Sequence, residues 1–264
     1  MILISSSQNP VVKGIKSLKS RKDREKKGLY YVEGLRIVEE ALKENADIAE
    51  LAVSEEFVAY HRDAGLLDKI EKHNIKTYIF TSKLFKEITD TETPQGILAI
   101  MKIRKHELKN ELDKDGLYVI MDSIRDPGNM GTIIRTADAA GFSGVILSKG
   151  CVDVYNPKVL RSTMGSVFHM PVYQTADILE TTKFLKSNGV SIYVSHLEGK
   201  VSIFEAEMIS GAAIVIGSEA EGVCEELKAM ADLLVKIPMP GKAESLNASI
   251  AAGIMMYEAV RQRL

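Results

Sequence analysis

Cysteine is nearly absent from this 264-residue chain: Cys151 and Cys224 stand far apart, and neither belongs to a CxxC pair. That excludes a disulfide framework and a cysteine zinc site, and it fits a reducing, cytoplasmic setting. Histidine is also sparse. His61, His73, His106, His169 and His196 are scattered without the spacing of metal ligands, so no metal is expected. No apolar run is long enough to cross a bilayer, which removes the membrane as an expected partner. The opening Met1-Ile2-Leu3-Ile4-Ser5 is too short an apolar run for a signal peptide and has no charged segment before it. The fingerprint GxGxxG and the phosphate loop GxxxxGKS/T are both missing, which counts against a dinucleotide oxidoreductase and a P-loop enzyme.

What is present is an ordinary globular composition, 45% hydrophobic and 27% charged. Net charge is only −2, but it is unevenly spread: residues 1–30 hold eight basic side chains against Asp23 and Glu25. Lys13, Lys16, Lys19, Arg21, Lys22 and Arg24 form a candidate footprint for a nucleic-acid backbone. A solvated helix face accounts for them equally well.

Asn9-Pro10 opens a basic helix that Gly28 stops. Strands then alternate with helices. Strands are expected over 29–34, 48–54, 75–80 and 97–103, and helices over 35–46, 55–73 (with a break near Gly65) and 83–89. This predicts an α/β or mixed-layer first domain. The run 104–116 is almost entirely charged and marks a boundary. The division is residues 1–106 as a first domain, 107–116 as a linker and 117–264 as a second domain. In the second, strands are expected over 117–122, 145–148, 191–197, 212–217 and 233–238. Helices are expected over 156–170 and 176–189, and from about Asn247 onward. Apolar runs each followed by a helix predict a parallel sheet covered on both faces.

Ligands of such sheets bind beyond the carboxyl ends of strands. Three loops there are rich in small and polar residues: DPGNMG (126–131), GSEAEGV (217–223) and PMPGKAESLN (238–247). Asn129 is placed just before a helix start, where amides and dipole favour an anion. Arg135 lies further along that helix. Singly, each residue has a plain reading: Asn129 and Ser245 as helix caps, Glu219 and Glu221 as surface turns, Arg135 as half of an ion pair. Three loops at corresponding places on one sheet make a shared site the better reading.

At these residues the chain resembles the SpoU class of RNA ribose 2′-O-methyltransferases, within the SPOUT superfamily. DPGNMGTIIRTADAAGF (126–142), IVIGSEAEGV (214–223) and IPMPGKAESLNASIAAGIMMYEA (237–259) look like its three ordered motifs. Ala248 stands where a valine is common. YYVEGLRIVEEAL and TPQGILAI in the first half are similar to the substrate-binding domain of members directed at ribosomal RNA. The resemblance implies a C-terminal α/β domain with a parallel sheet and a deep trefoil knot, beside a smaller N-terminal α/β RNA-binding domain. It implies S-adenosylmethionine as cofactor, held at Gly217, Ile237 and Leu246 with Ile216 and Met239 as apolar lining. It implies a homodimer through the C-terminal domain, and it gives Asn129, Arg135, Glu219, Ser245 and Asn247 the functional polar roles.

The implied reaction moves a methyl group from a sulfonium to a ribose 2′-oxygen of RNA, ribosomal RNA before transfer RNA. The family proposal makes Arg135 the base, assisted by a substrate phosphate. A guanidinium normally stays protonated, so anchoring a phosphate beside the ribose is the simpler role. Three alternatives stand beside this reading. They are a transfer-RNA 2′-O-methyltransferase, a base methyltransferase of the same superfamily, and a non-catalytic RNA-binding ribosome-assembly protein on the same fold. Removal of the last helix is expected to abolish cofactor binding.

Overall fold

The computed structural model describes residues 2–61, 68, 70 and 72–264. They form two compact units. One comprises Met1–Arg104 with Tyr155–Phe168; the other comprises Lys105–Val154 with His169–Leu264.

The first unit is built on five strands: β1 (Ile2–Ile4), β2 (Leu29–Glu33), β3 (Ile48–Ser54), β4 (Thr77–Phe80) and β5 (Ile97–Lys102), ordered β1-β4-β3-β5-β2. β4 pairs in parallel with β1 and β3, while β5 runs antiparallel to β2 and β3. The sheet is mixed, one of the two outcomes the alternation allowed. Successive side chains point to opposite faces, and here both faces are buried. Leu51, Val53, Ile97 and Ala99 pack with Val38 and Leu42 on one side. Ala52, Tyr78, Leu98 and Ile100 pack with Val12, Ile15 and Leu84 on the other. Double-sided burial is why these strands read as near-continuous apolar runs. The single basic helix expected before Gly28 is two helices, Pro10–Ser17 and Arg21–Lys27, the second closed by Gly28 at φ 64°. Of the helix expected over 55–73, Glu55–Tyr60 is observed; the break near Gly65 lies outside the described residues.

Tyr155–Phe168 was expected inside the second domain. It groups with the first unit because Leu160, 1% exposed, and Tyr155, Val167 and Phe168 complete the core around Val38 and Leu51. The charged run expected as a linker contains a short helix, Leu108–Glu111, whose Leu108 is buried in the core of the second unit.

That unit carries seven strands: β6 (Leu117–Asp122), β7 (Gly144–Leu147), β8 (Val172–Gln174), β9 (Ser191–Ser195), β10 (Val201–Ser202), β11 (Ala212–Gly217) and β12 (Leu233–Lys236). Their order is β10-β12-β9-β11-β6-β7-β8, and every pairing is parallel. Register brings the carboxyl ends level: Gly217 faces Asp122, Leu147 faces Met121 and Val235 faces Ser195. The chain therefore leaves β6, β11 and β12 along one edge. The last helix, Ala248–Arg261, packs on the helix Pro127–Ala139 and on β11, burying Ala252, Met255, Met256 and Ala259 completely.

Candidate active site

β6 is apolar until Asp122, which is only 6% exposed. A buried carboxylate needs donors, and three residues supply them. Ser148 Oγ donates to Oδ1 at 3.1 Å, Ser123 Oγ to Oδ1 at 3.3 Å and the Cys224 N–H to Oδ2 at 2.9 Å. Asp122 thus fastens the chain leaving β6 to the chain leaving β7 and to the far end of the loop that follows β11. Ser123 has φ 57°, a left-handed conformation that costs a serine about 1–2 kcal/mol. Its own N–H donates to Ser148 Oγ at 3.0 Å, so the turn is held by the same cluster. Burial raises the thiol pKa of Cys151 and of Cys224, the Cys224 thiol also through its hydrogen bond to Asp122, so neither is a ready nucleophile.

The next helix begins at Pro127 and is capped by Asp126, whose Oδ1 accepts the Asn129 N–H at 2.7 Å. The sequence pattern places Asn129 just ahead of the helix. It lies inside the first turn, because Asp126 takes the cap and Pro127 suits the first helical position. The Asn129 side chain is therefore spared capping and turns to other partners.

The loop after β11 folds back on itself. Ser218 and Gly222 form an isolated bridge, and a Cβ on Gly217 would lie 2.1 Å from a Gly222 backbone atom. Only glycine permits that approach. The fold-back presents Glu219, whose Oε1 accepts a short hydrogen bond from Asn129 Nδ2.

The third loop ends at Asn247. Its Oδ1 caps the last helix, accepting from Ser249 N at 2.9 Å and Ile250 N at 3.3 Å. The cap fixes the amide orientation, since only the oxygen can accept. Nδ2 must then point outward, and it donates to Asn129 Oδ1 at 2.9 Å. Asn129 is oriented in turn, with its oxygen toward Asn247 and its nitrogen toward Glu219. One polarised line runs from helix cap to carboxylate and joins all three loops.

Of the residues expected from the sequence, Asn129, Glu219 and Asn247 are brought into contact. Arg135 is exposed on the helix face opposite Ile133, Ile134 and Ala137, and no carboxylate pairs with it among the described residues. Ser245 is exposed and does not cap the helix; Asn247 does. Ile216 is buried, Gly217, Ile237 and Met239 are half-buried, and Leu246 is 36% exposed. From Ile237 to Leu246 no backbone group makes a main-chain hydrogen bond outside the strands, among the described residues. Free backbone donors and acceptors beside partly covered apolar side chains suit a nucleoside, which has polar edges and a flat apolar face. Asp122 and Ser148 were not singled out from the sequence. The signal was there: an acidic residue closing the apolar run LYVIMD.

The basic segment is less available than its composition implied. Arg24 is corrected outright as a surface contact, at 4% exposure, with Nη1 donating to Leu18 O at 2.6 Å and Lys19 O at 3.0 Å. It closes the C-terminal end of the preceding helix. Lys16 pairs with Glu87, Lys19 with Asp90 and Arg21 with Glu25. Lys13 and Lys22 are exposed, with no ion pair among the described residues.

Residues 116–257 match the family model described as the SpoU rRNA Methylase family, and residues 9–99 match an MRM3-like substrate binding domain. The chain is 36% identical over 254 residues to the 23S rRNA (guanosine(2553)-2′-O)-methyltransferase RlmP of Bacillus subtilis, covering 96% of this chain and 97% of the relative. It is similar to the AdoMet-bound rRNA methyltransferase from Sinorhizobium meliloti, at 33% identity and TM-score 0.88, covering 99% and 98% of the two chains. It is also similar to the SpoU methyltransferase AviRb from Streptomyces viridochromogenes in complex with AdoMet, at 28% identity and TM-score 0.86, covering 97% and 98%.

Proposed function

The chain belongs to the SpoU rRNA methylase family, and on that premise we propose that it methylates a ribose 2′-hydroxyl of ribosomal RNA, with S-adenosylmethionine as donor. The observation that carries the reading is the line Asn247–Asn129–Glu219, which ties the three motif loops into one site at the carboxyl edge of the parallel sheet. The donor supplies a methyl group on a sulfonium, a leaving group already activated. The protein's own residues hold and orient. Ile237, Met239 and Leu246, with the free backbone of their loop and with Ile216 and Gly217, form the donor's seat. Arg135, exposed and without an ion pair among the described residues, offers a fork of N–H donors to an RNA phosphate beside the target ribose. That grip positions the hydroxyl, the main service a chain can render when the leaving group needs no further activation. Glu219 and Asn129 are locked by the helix cap through Asn247, so the polar wall needs no rearrangement when substrate arrives. Ser245, on the same loop, supplies a free hydroxyl.

The same reading includes a trefoil knot at residues 237–264, supported by the packing of the last helix on the helix Pro127–Ala139 and β11. It includes a homodimer, supported by Ile250 and Tyr257, 55% and 52% exposed and two turns apart on one helix face. Light scattering should give twice the chain mass, and Tyr257→Glu should halve it. A cytoplasmic location fits substrate and cysteine usage. Among the described residues no helix is long and apolar enough to cross a membrane.

The test is methyl transfer from labelled donor to purified ribosomal RNA, followed by digestion and mass spectrometry of the nucleosides. A 2′-O-methylated nucleoside is expected. Label on a base, or preference for transfer RNA, sinks this assignment in favour of an enzymatic rival. Absence of donor binding by calorimetry leaves a non-catalytic RNA-binding protein.

A further inference from the structure

The first unit contains a cavity of about 530 Å³ that plays no part in the three loops. Ile37 and Met164 give it an apolar lining, and Arg36 and Arg161 border it. Both guanidiniums are exposed; among the described residues neither is hydrogen-bonded to or in contact with a carboxylate, and Arg161 feels Asp90 only through space. Gln95 also lines it. Its Oε1 accepts the Leu35 N–H at 2.7 Å, so its Nε2 is left as a donor. Gly34 sits at φ 115°, and a Cβ there would come within 3.1 Å of that same Oε1.

Met164 is the telling residue. It ends the helix Pro157–Thr163 at φ 51° and ψ 32°, the left-handed position where glycine is favoured. A methionine there costs about 1–2 kcal/mol of backbone strain, yet its side chain is 51% exposed and adds little to the core. Strain at a cavity wall, carried by an exposed apolar group, points to a surface kept for a ligand.

The lining narrows the ligand's chemistry. Two exposed guanidiniums suit a phosphate. Exposed thioether and aliphatic carbons suit the flat face of a base. The carboxylates of Glu33, Glu39 and Glu40 also reach the cavity; they disfavour a bare anion and offer acceptors to base N–H groups. The volume lies in the range of small-molecule sites, which admits one nucleotide and not a helix.

We propose that this cavity receives a single unstacked nucleotide of the RNA substrate, its base on Met164 and Ile37 and its phosphate on Arg36 and Arg161. The inference rests on the reading that the substrate is RNA, and it specifies what the first unit recognises: a base turned out of its stack.

Met164→Gly tests it, because fold and recognition should respond in opposite senses. Its melting temperature is expected to hold or rise. Its affinity for a short single-stranded RNA, measured by fluorescence anisotropy at fixed salt, is expected to fall about three- to tenfold. Affinity for a blunt duplex of the same sequence should stay unchanged. Arg161→Gln, at an exposed position, should reproduce the selective loss and carries the test if Met164→Gly fails to fold. Unchanged single-strand affinity, or equal losses for strand and duplex, overturns the pocket. Failure of the unaltered protein to methylate ribosomal RNA overturns instead the reading beneath it.

Discussion

Residues 13–27 crowd eight cations into one stretch, whereas Arg36, Arg135 and Arg161 each stand alone in the sequence. The structure reverses their apparent importance. In the crowded stretch Arg24 is buried, and Lys16, Lys19 and Arg21 are taken by Glu87, Asp90 and Glu25. Arg36 and Arg135 face solvent without a carboxylate partner among the described residues, and Arg161 is exposed with only a through-space attraction to Asp90. A run of like charges is costly to leave uncompensated, so a fold collects counter-charges around it. A lone cation faces no such pressure and stays available for a ligand.

The sharpest break of this contrast is Arg135→Ala. Loss of one pre-positioned electrostatic contact is worth roughly a hundredfold or more in turnover, and methyl transfer should fall at least that far while calorimetry still finds the donor bound. Near-normal turnover would place Arg135 outside the site. Arg24→Ala should do the opposite, with stability falling by about 2–3 kcal/mol, from lost charged hydrogen bonds, and methyl transfer per folded molecule kept. Denaturant titration measures the first and a rate at low temperature the second.

Lys13→Glu with Lys22→Glu should lower RNA affinity severalfold and flatten its salt dependence by about one unit of slope per lost phosphate contact. Lys16→Glu should weaken it less, since that charge is already engaged. Equal losses from both changes would erase the distinction between engaged and free cations. The smallest effect expected is a pH dependence. Burial opposes ionisation of Asp90, but hydrogen bonds from Lys19 and Tyr31 outweigh it and hold its pKa below the ordinary value. A lowered carboxylate pKa gives stability that is full above the unfolded value, about 3.9, and is lost as pH falls through the folded one. Melting temperature in acid should therefore drop faster for the native chain than for Asp90→Asn.

Much of this was legible in the sequence, for identifiable reasons. The longer strands showed because both sheets are buried on both faces, so apolar runs such as LYVIM and AAIVI stand out; the short edge strands β1, β8 and β10 carry too few residues for a pattern and did not. The three loops showed because glycine and asparagine cluster where close approach or capping demands them. Asn247 did not show as the cap, since Ser245 offered an equally good oxygen two residues earlier. The tie from Asp122 to the Cys224 N–H spans 102 residues, and no local pattern encodes it. Arg24 looked like its neighbours because burial is decided by the packing of the two short helices, not by residue type. Removal of the last helix does more than unseat the donor. It takes away Ala252, Met255, Met256 and Ala259 from the core, so the loss of cofactor binding it should cause would come with loss of the fold.

The segment Tyr155–Phe168 bears on how the chain is made. The first unit has its five strands once Lys102 is synthesised, but its core still lacks Leu160. At about 5–20 residues per second, the wait for the remaining piece lasts roughly 3–13 seconds. During that interval β6 and β7 have been made before their own sheet can be completed. The two units must then mature in an interleaved order, the first finishing only after the second has begun. A chain cut at Arg104 should be aggregation-prone, and adding Tyr155–Phe168 as a separate peptide should rescue it.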